Sequence, residues 1–385
     1  TVNYMVKEFE MKKSADQYAR AATAKTGTLD MGALHTYKFN DDLFKKVTTL
    51  PGATNHGMVM VLDWSGSMCD NLKGTVDQLL QLVMFCRRTK IPFEVFAFTS
   101  CYNRDSYDYL VDVNYGEVGV TENMRLLNFF SSKMSAAEEE KMMHYLWMIG
   151  KRYGGMWVSL PTQLGYPSNP PANYALGGTP LNDAIVVLMD FLPKYKKASG
   201  VQKINTIFLT DGASNASSGV KDNNDGNDFY QSFHGQNLLI DPVTNKRYEF
   251  NGNRTNFTNA LLKALKSRVP GMNVVGFFLA GSGRKGNVSR HTWWYLLRDG
   301  DGNAIQSVDQ AMAKMRKNKV VVLESKGYDQ YYILPGGGGL TVENDGLDDN
   351  LAGASKAKLK TAFAKSNKGR IQSRVLLNKF VALVA

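Results

Sequence analysis

Residues 58–68, MVMVLDWSGSM, constrain the fold more than any other stretch, because an apolar run of strand length ends in three regularly spaced oxygen side chains. Asp63, Ser65 and Ser67 form a D-x-S-x-S loop. Alternate residues of an extended loop project to one side, so these oxygens can converge on a single hard cation, and Gly66 allows a tight turn around it. Two further segments complete a constellation. ALGGTPLNDAI supplies Thr179 at a Gly-rich helix start, and INTIFLTDG supplies Asp211 at the end of a second apolar strand.

A helix is expected from about Val6 to Lys25, stopped by Gly27, followed by an irregular arm. The strand Val59 to Leu62 then feeds the D-x-S-x-S loop, and a helix from Leu72 to Thr89 carries Leu72, Val76, Leu79, Leu80 and Val83 at helical spacing. Pro92 opens a second strand, FEVFAFTS. Between about 101 and 176 the pattern breaks into an insertion: loop first, then TENMRLLNFFSSKMSAAEEEKMMHYLWMIGKRY as one or two helices, then a proline-rich loop through Pro161, Pro167, Pro170 and Pro171. Trp147 and Met143 in that helical run read as local core rather than as a docking stripe. Pro180 suits the first turn of a helix reaching about Phe191, and Asp183 suits its positive end. The strand Ile204 to Leu209 delivers Asp211, and a polar insertion fills about 213–256. A helix from Ala260 to Ser267, the strand NVVGFFLA, WWYLLRD, and the segments VVVL and YYIL close the sheet region. Strands alternating with helices of this length imply a parallel sheet with right-handed crossovers. The expected division is an N-terminal helical and extended arm over 1–56, the sheet domain over 57–335, and a Gly-rich joint with a basic helical tail over 336–385.

The spacing of D-x-S-x-S, GGTP and TDG resembles the metal-ion-dependent adhesion site of von Willebrand factor A domains, with all five positions filled over residues 57–335. The resemblance implies an α/β, Rossmann-like, doubly wound and mostly parallel sheet, with ligands at the carboxyl ends of its strands. It further implies Mg²⁺, with Mn²⁺ or Ca²⁺ as alternatives, bound by Ser65 and Ser67 directly, by Thr179 directly or through water, and by Asp63 and Asp211 mostly through water. An acidic side chain of a protein partner would fill the remaining position. KTGTLDMGALHTYKFNDDLFKKV, residues 25–47, is similar to the segment ahead of the A domain in the von Willebrand-type subunit of aerobic cobalt chelatase, and the chain looks most like related proteins of large tailed bacteriophages. That likeness implies a ring-forming AAA+ ATPase of the MoxR class as partner. The acidic stretch usual upstream of the A domain in chelatase subunits is absent, which puts chelation into a tetrapyrrole in doubt. A phage structural or assembly protein is one alternative. RNA binding in the manner of Ro-type proteins is another, although their helical-repeat ring would not fit within residues 1–56.

Other chemistries find little support. No run approaches the length of a membrane span, and the first residue is Thr1, which is consistent with an upstream segment, a leader included. Cys69, Cys86 and Cys101 form no C-x-x-C pair, and Cys86 reads as core. The sequons at Asn215, Asn253, Asn256 and Asn287 are expected by accident in a cytoplasmic protein, in the host cytoplasm for a phage-encoded one. A net charge of +11 permits nucleic acid or an acidic protein surface as partner, but the lysine clusters match no nucleic-acid module and read as solvated helix faces. GSGRKGN lacks the Lys of a phosphate loop, the acidic loops from Asp222 and Asp299 lack the EF-hand Gly and Glu, and the five histidines show no ligand spacing. With no nucleophile and base standing out, a binding module is expected rather than an enzyme.

Overall fold

The computed structural model describes residues 2–19, 22–29, 44–49, 55–100, 114, 116–153, 174–214, 235–252, 254–280, 288–299, 302–324 and 327–336. The chain enters through α1 (Val2–Ala19), β1 (Ala22–Leu29) and β2 (Phe44–Thr49). Then β3 (His56–Asp63) runs through a 3-10 turn at Gly66–Asp70 into α2 (Leu72–Arg88), β4 (Phe93–Ser100), β5 (Met124–Ser131), α3 (Ala136–Tyr153) and α4 (Leu181–Ser199). The second half comprises β6 (Lys203–Thr210), β7 (Gln236–Asp241), β8 (Lys246–Asn251), α5 (Arg254–Arg268), β9 (Asn273–Ala280), α6 (Arg290–Leu296), α7 (Val308–Asn318), β10 (Val321–Leu323) and β11 (Gln330–Pro335).

Seven strands form one sheet in the order β10-β11-β9-β6-β3-β4-β5. The five from β11 to β4 are parallel, and β5 and β10 close the two edges antiparallel. This is the doubly wound α/β architecture expected from the alternation of strands and helices. Every residue of β3 from Gly57 to Asp63 is buried, as a parallel strand covered on both faces requires. Side-chain alternation splits it cleanly: Met58, Met60 and Leu62 join the core with α1, α2 and α3, whereas Val59 and Val61 face α4 and α5. A third cluster, around Trp293, Met315 and Ile333, seats α6 and α7 at the β10 edge.

The order of connections reverses between β3 and β6. From β3 the chain passes through α2 to β4 on one side, whereas β6 lies on the other side and continues through α5 to β9. Their carboxyl ends therefore flank a topological switch point, where the helical crossovers leave a crevice.

Several sequence expectations are corrected. The helix at the N terminus ends at Ala19, and Gly27 lies inside β1, which pairs with β2 as an antiparallel hairpin rather than an irregular arm. MRLLNFFS in the first insertion is the edge strand β5, because its register against β4 buries Phe129 and Phe130; only Ala136 onward is helical. Within the second insertion, residues 236–251 form the hairpin β7–β8, and α5 starts six residues before Ala260. The helix after GGTP continues past Phe191 to Ser199 through Pro193. Trp147 is 42% exposed although Leu146 and Ile149 beside it are core. The proline-rich loop, Cys101, the Asp222 loop, GSGRKGN and the tail beyond Gly336 lie outside the described residues.

Candidate metal centre

Asp63 is the last residue of β3, and Asp211 directly follows β6, so the switch point puts both carboxylates on one rim. The loop after Asp63 carries Ser65 and Ser67 to the same place. Their hydroxyl oxygens lie 3.0 Å apart, and Ser67 Oγ donates to Asp211 Oδ1 at 2.7 Å. Thr179 arrives on a different element. Gly66 N donates to Gly177 O at 2.9 Å and Gly177 N to Trp64 O at 3.3 Å, while the Thr99 and Ser100 hydroxyls at the end of β4 accept from the N–H groups of Gly177 and Gly178. Thr179, buried, follows on the same rim, two residues past the clamp and just ahead of α4. The structure thus gathers four of the sequence-derived residues at one end of the sheet, Ser65, Ser67 and Asp211 by direct contact and Asp63 through Thr210, while Thr179 is placed beside them by the Gly177 and Gly178 backbone bonds rather than by a contact of its own.

Gly66 and Gly177 exchange the importance that the sequence suggests. A Cβ on Gly66 would meet nothing nearer than 3.9 Å, whereas on Gly177 it would lie 1.8 Å from Ser100 O. The close approach that needs a missing side chain is in the GGTP loop, where two backbones touch.

Asp63 is wholly buried, and its Oδ2 accepts from Thr210 Oγ1 at 2.7 Å. Its Oδ1 is buried and accepts no hydrogen bond of ordinary geometry, although Ser65 and the Asp211 backbone N–H lie close enough to the carboxyl to favour its charged form. Burial raises its carboxyl to about 7, with the neighbouring charge of Asp211 adding to the rise and the Thr210 hydroxyl opposing it. Burial raises Asp211 too, against the hydrogen bonds from Ser67 and Asn71. Two carboxylates thus sit where ionisation is unfavourable unless a cation enters.

The donors fit a small hard cation. In an octahedron with ligands at roughly 2.1 Å, adjacent oxygens lie about 3.0 Å apart, which is the Ser65 to Ser67 separation of 3.0 Å. Neutral hydroxyls with two carboxylates and no imidazole or thiolate suit Mg²⁺ or a similar oxygen-seeking ion. Among the described residues there is no group of three or more His, Cys, Asp or Glu side chains able to hold a metal. Ser67 is exposed and Ser65 is buried, so the rim opens to solvent on the Ser67 side.

Sequence reasoning missed the residues that hold this rim. Asn71 Nδ2 reaches Asp211 Oδ2 at 3.3 Å, and Thr210 links Asp63 to Gly212. Asp183, read as a helix-dipole residue, is fully buried and accepts from Thr121 N at 3.1 Å and Thr121 Oγ1 at 2.7 Å, tying the loop before β5 to α4. Thr210 carried a signal, being the Thr of TDG beside a candidate ligand; Thr121 carried none, since 62 residues separate it from Asp183.

No protein-family model and no curated protein matches the chain. Solved structures similar to it include the pilus adhesin SpaC of Lactobacillus rhamnosus GG in its open conformation, at 14% identity and a TM-score of 0.33 over 70% of this chain and 30% of that one. The type V pilus tip protein Mfa5 of Porphyromonas gingivalis is 13% identical with a TM-score of 0.27, over 56% of this chain and 29% of that one. The human COPII-coat protein Sec24c is 11% identical with a TM-score of 0.28, over 70% of this chain and 33% of that one. The chain spans about a third of the length of each, and likenesses of this size carry no argument about function.

Proposed function

We propose that this chain is a metal-dependent protein-binding module of the von Willebrand factor A type, in which Asp63, Ser65, Ser67, Thr179 and Asp211 hold Mg²⁺. The observation that carries the reading is the convergence of two carboxylates raised by burial, Asp63 and Asp211, with the Ser65 and Ser67 hydroxyls at octahedral-edge spacing, the Asp63 Oδ1 having no hydrogen bond of ordinary geometry. A buried carboxylate held only by neutral donors is costly to ionise unless something positive offsets it. The bound ion would supply Lewis acidity toward one more oxygen ligand. The chain's own residues do the rest: Ser65 and Ser67 present hydroxyl oxygens, Thr210 holds Asp63, Asn71 holds Asp211, and the Gly177 clamp holds Thr179. The open Ser67 side admits an acidic side chain from a partner.

The partner class follows from the chelatase-like resemblance alone: a MoxR-type AAA+ ATPase in the cytoplasm, with this chain as its non-catalytic adaptor. Among the described residues, no helix is long and apolar enough to cross a membrane. The test is calorimetric titration of Mg²⁺ into the full chain and into Asp63→Ala and Asp211→Ala, followed by capture of the AAA+ protein with each. Wild-type protein binds Mg²⁺ and the ATPase, EDTA releases the ATPase outright, and both variants lose the ion with the fold intact. Unchanged Mg²⁺ affinity in Asp63→Ala sinks the site. A complex that survives chelation but dissolves in moderate salt puts the assembly or RNA-binding readings ahead, since screening acts on diffuse charge far more than on a metal bond.

A further inference from the structure

The hairpin β7–β8 presents two unlike faces. Its inner face is anchored: Phe250 packs on Phe257 of α5 with ring centroids 5.5 Å apart, Tyr248 OH donates to Ser267 Oγ at 2.7 Å, and Arg268 Nε donates to Asp241 Oδ1 at 3.0 Å. The outer face carries Leu238, 48% exposed, and Ile240, 52% exposed. Register places Glu249 directly across from Leu238 and Arg247 directly across from Ile240, both exposed. Val243, 70% exposed, lies in the turn that joins the two strands. A rigidly held two-stranded sheet with two bulky aliphatics outward is a surface that sheets normally cover.

We propose that this face is a homodimer contact, covered by the same face of a second copy. The charges choose the occupant. A two-fold axis lying between the faces and across the strands, midway between the Leu238–Glu249 and Ile240–Arg247 rows, sets Arg247 of one copy opposite Glu249 of the other. The same operation sets Ile240 opposite Leu238. Both charges and both aliphatics are thereby satisfied by one symmetric contact, as an isologous interface requires. The alternative axis along the strands would put each charge against an aliphatic side chain, at a desolvation cost with no partner. Twisted sheets packing face to face in this way lie about 10 Å apart. The patch is small, so the dimer is reversible and concentration-dependent.

Sedimentation velocity on the full chain over a range of concentrations tests this. The wild-type protein shows a concentration-dependent monomer–dimer equilibrium, and Leu238→Asp with Ile240→Asp abolishes it. Arg247→Glu and Glu249→Arg, conservative for the fold because both side chains are exposed, each weaken self-association by about tenfold, because each gives a face of one charge sign. An equimolar mixture of these two variants then associates as well as wild type, since one face is doubly negative and the other doubly positive. Three results overturn the proposal: a wild-type chain that stays monomeric to its solubility limit, a dimer indifferent to the aliphatic pair, and charge variants that weaken dimerisation without rescuing one another. Thermal unfolding of each variant separates a lost contact from a lost fold.

Discussion

Asp63 is the residue on which the site turns, because its environment opposes its own charge. An unfolded aspartate titrates near 3.8, whereas burial moves the folded carboxyl to about 7. Between those values the folded state holds a proton that the unfolded state has released, so stability falls as pH rises through this window and the full cost stands above it. A cation at the centre reverses that cost. Asp63→Asn therefore stabilises the metal-free protein by about 1–3 kcal/mol at about pH 8, has little effect at about pH 4, and removes the thermal stabilisation by Mg²⁺. Thermal unfolding at the two pH values, with EDTA and with Mg²⁺, checks this. Destabilisation of the Asp63→Asn protein in EDTA would show that the carboxylate is held by contacts other than a metal.

At the scale of the element, the centre is a junction of the loops that follow β3 and β6 with the GGTP loop ahead of α4, which is clamped against the end of β4. Gly177 sits against the backbone of Ser100 with no room for a side chain, and its N–H and C=O bond the Trp64–Gly66 backbone. Gly177→Ala must push the loop away from β4, carrying Thr179 with it. The expected result is about 2–4 kcal/mol of lost stability and at least tenfold weaker Mg²⁺ binding. Gly66→Ala, where space is open and φ is ordinary, costs well under half as much stability. Paired denaturant unfolding and metal titration of the two variants decide between these glycines, and equal effects would reject the clamp.

At the scale of the whole molecule, the N-terminal segment belongs partly to the domain. Met5 and Phe9 of α1 are buried in the core of α2 and the sheet, and Phe9 meets Phe85 edge-on at 5.6 Å. Phe9→Ala should cost about 2–4 kcal/mol in unfolding free energy while leaving Mg²⁺ affinity unchanged, since α1 packs on α2 and takes no part in the ligand set. A cost near zero in chemical denaturation would mean that α1 is an independent arm.

Local pattern was enough to mark the apolar strands, the helix Leu72–Arg88 and the five candidate ligands, because strand and helix periods and the spacing of hydroxyls and carboxylates are properties of short windows. It failed where pairing decides. MRLLNFFS has a helical neighbour and ambiguous periodicity, and it is a strand because β4 offers it an open edge. ATAKTGTL contains a glycine that reads as a helix stop, and it is a strand because residues 44–49 lie beside it. The supports of the candidate rim, Thr121 on Asp183, Thr210 on Asp63 and Asn71 on Asp211, depend on chain segments tens to more than a hundred residues apart. Which oxygens could bind an ion was therefore set by residue type and spacing; which of them are buried, held and left without a hydrogen bond was decided by the order of strands in the sheet, since only that order brings distant loops to one rim.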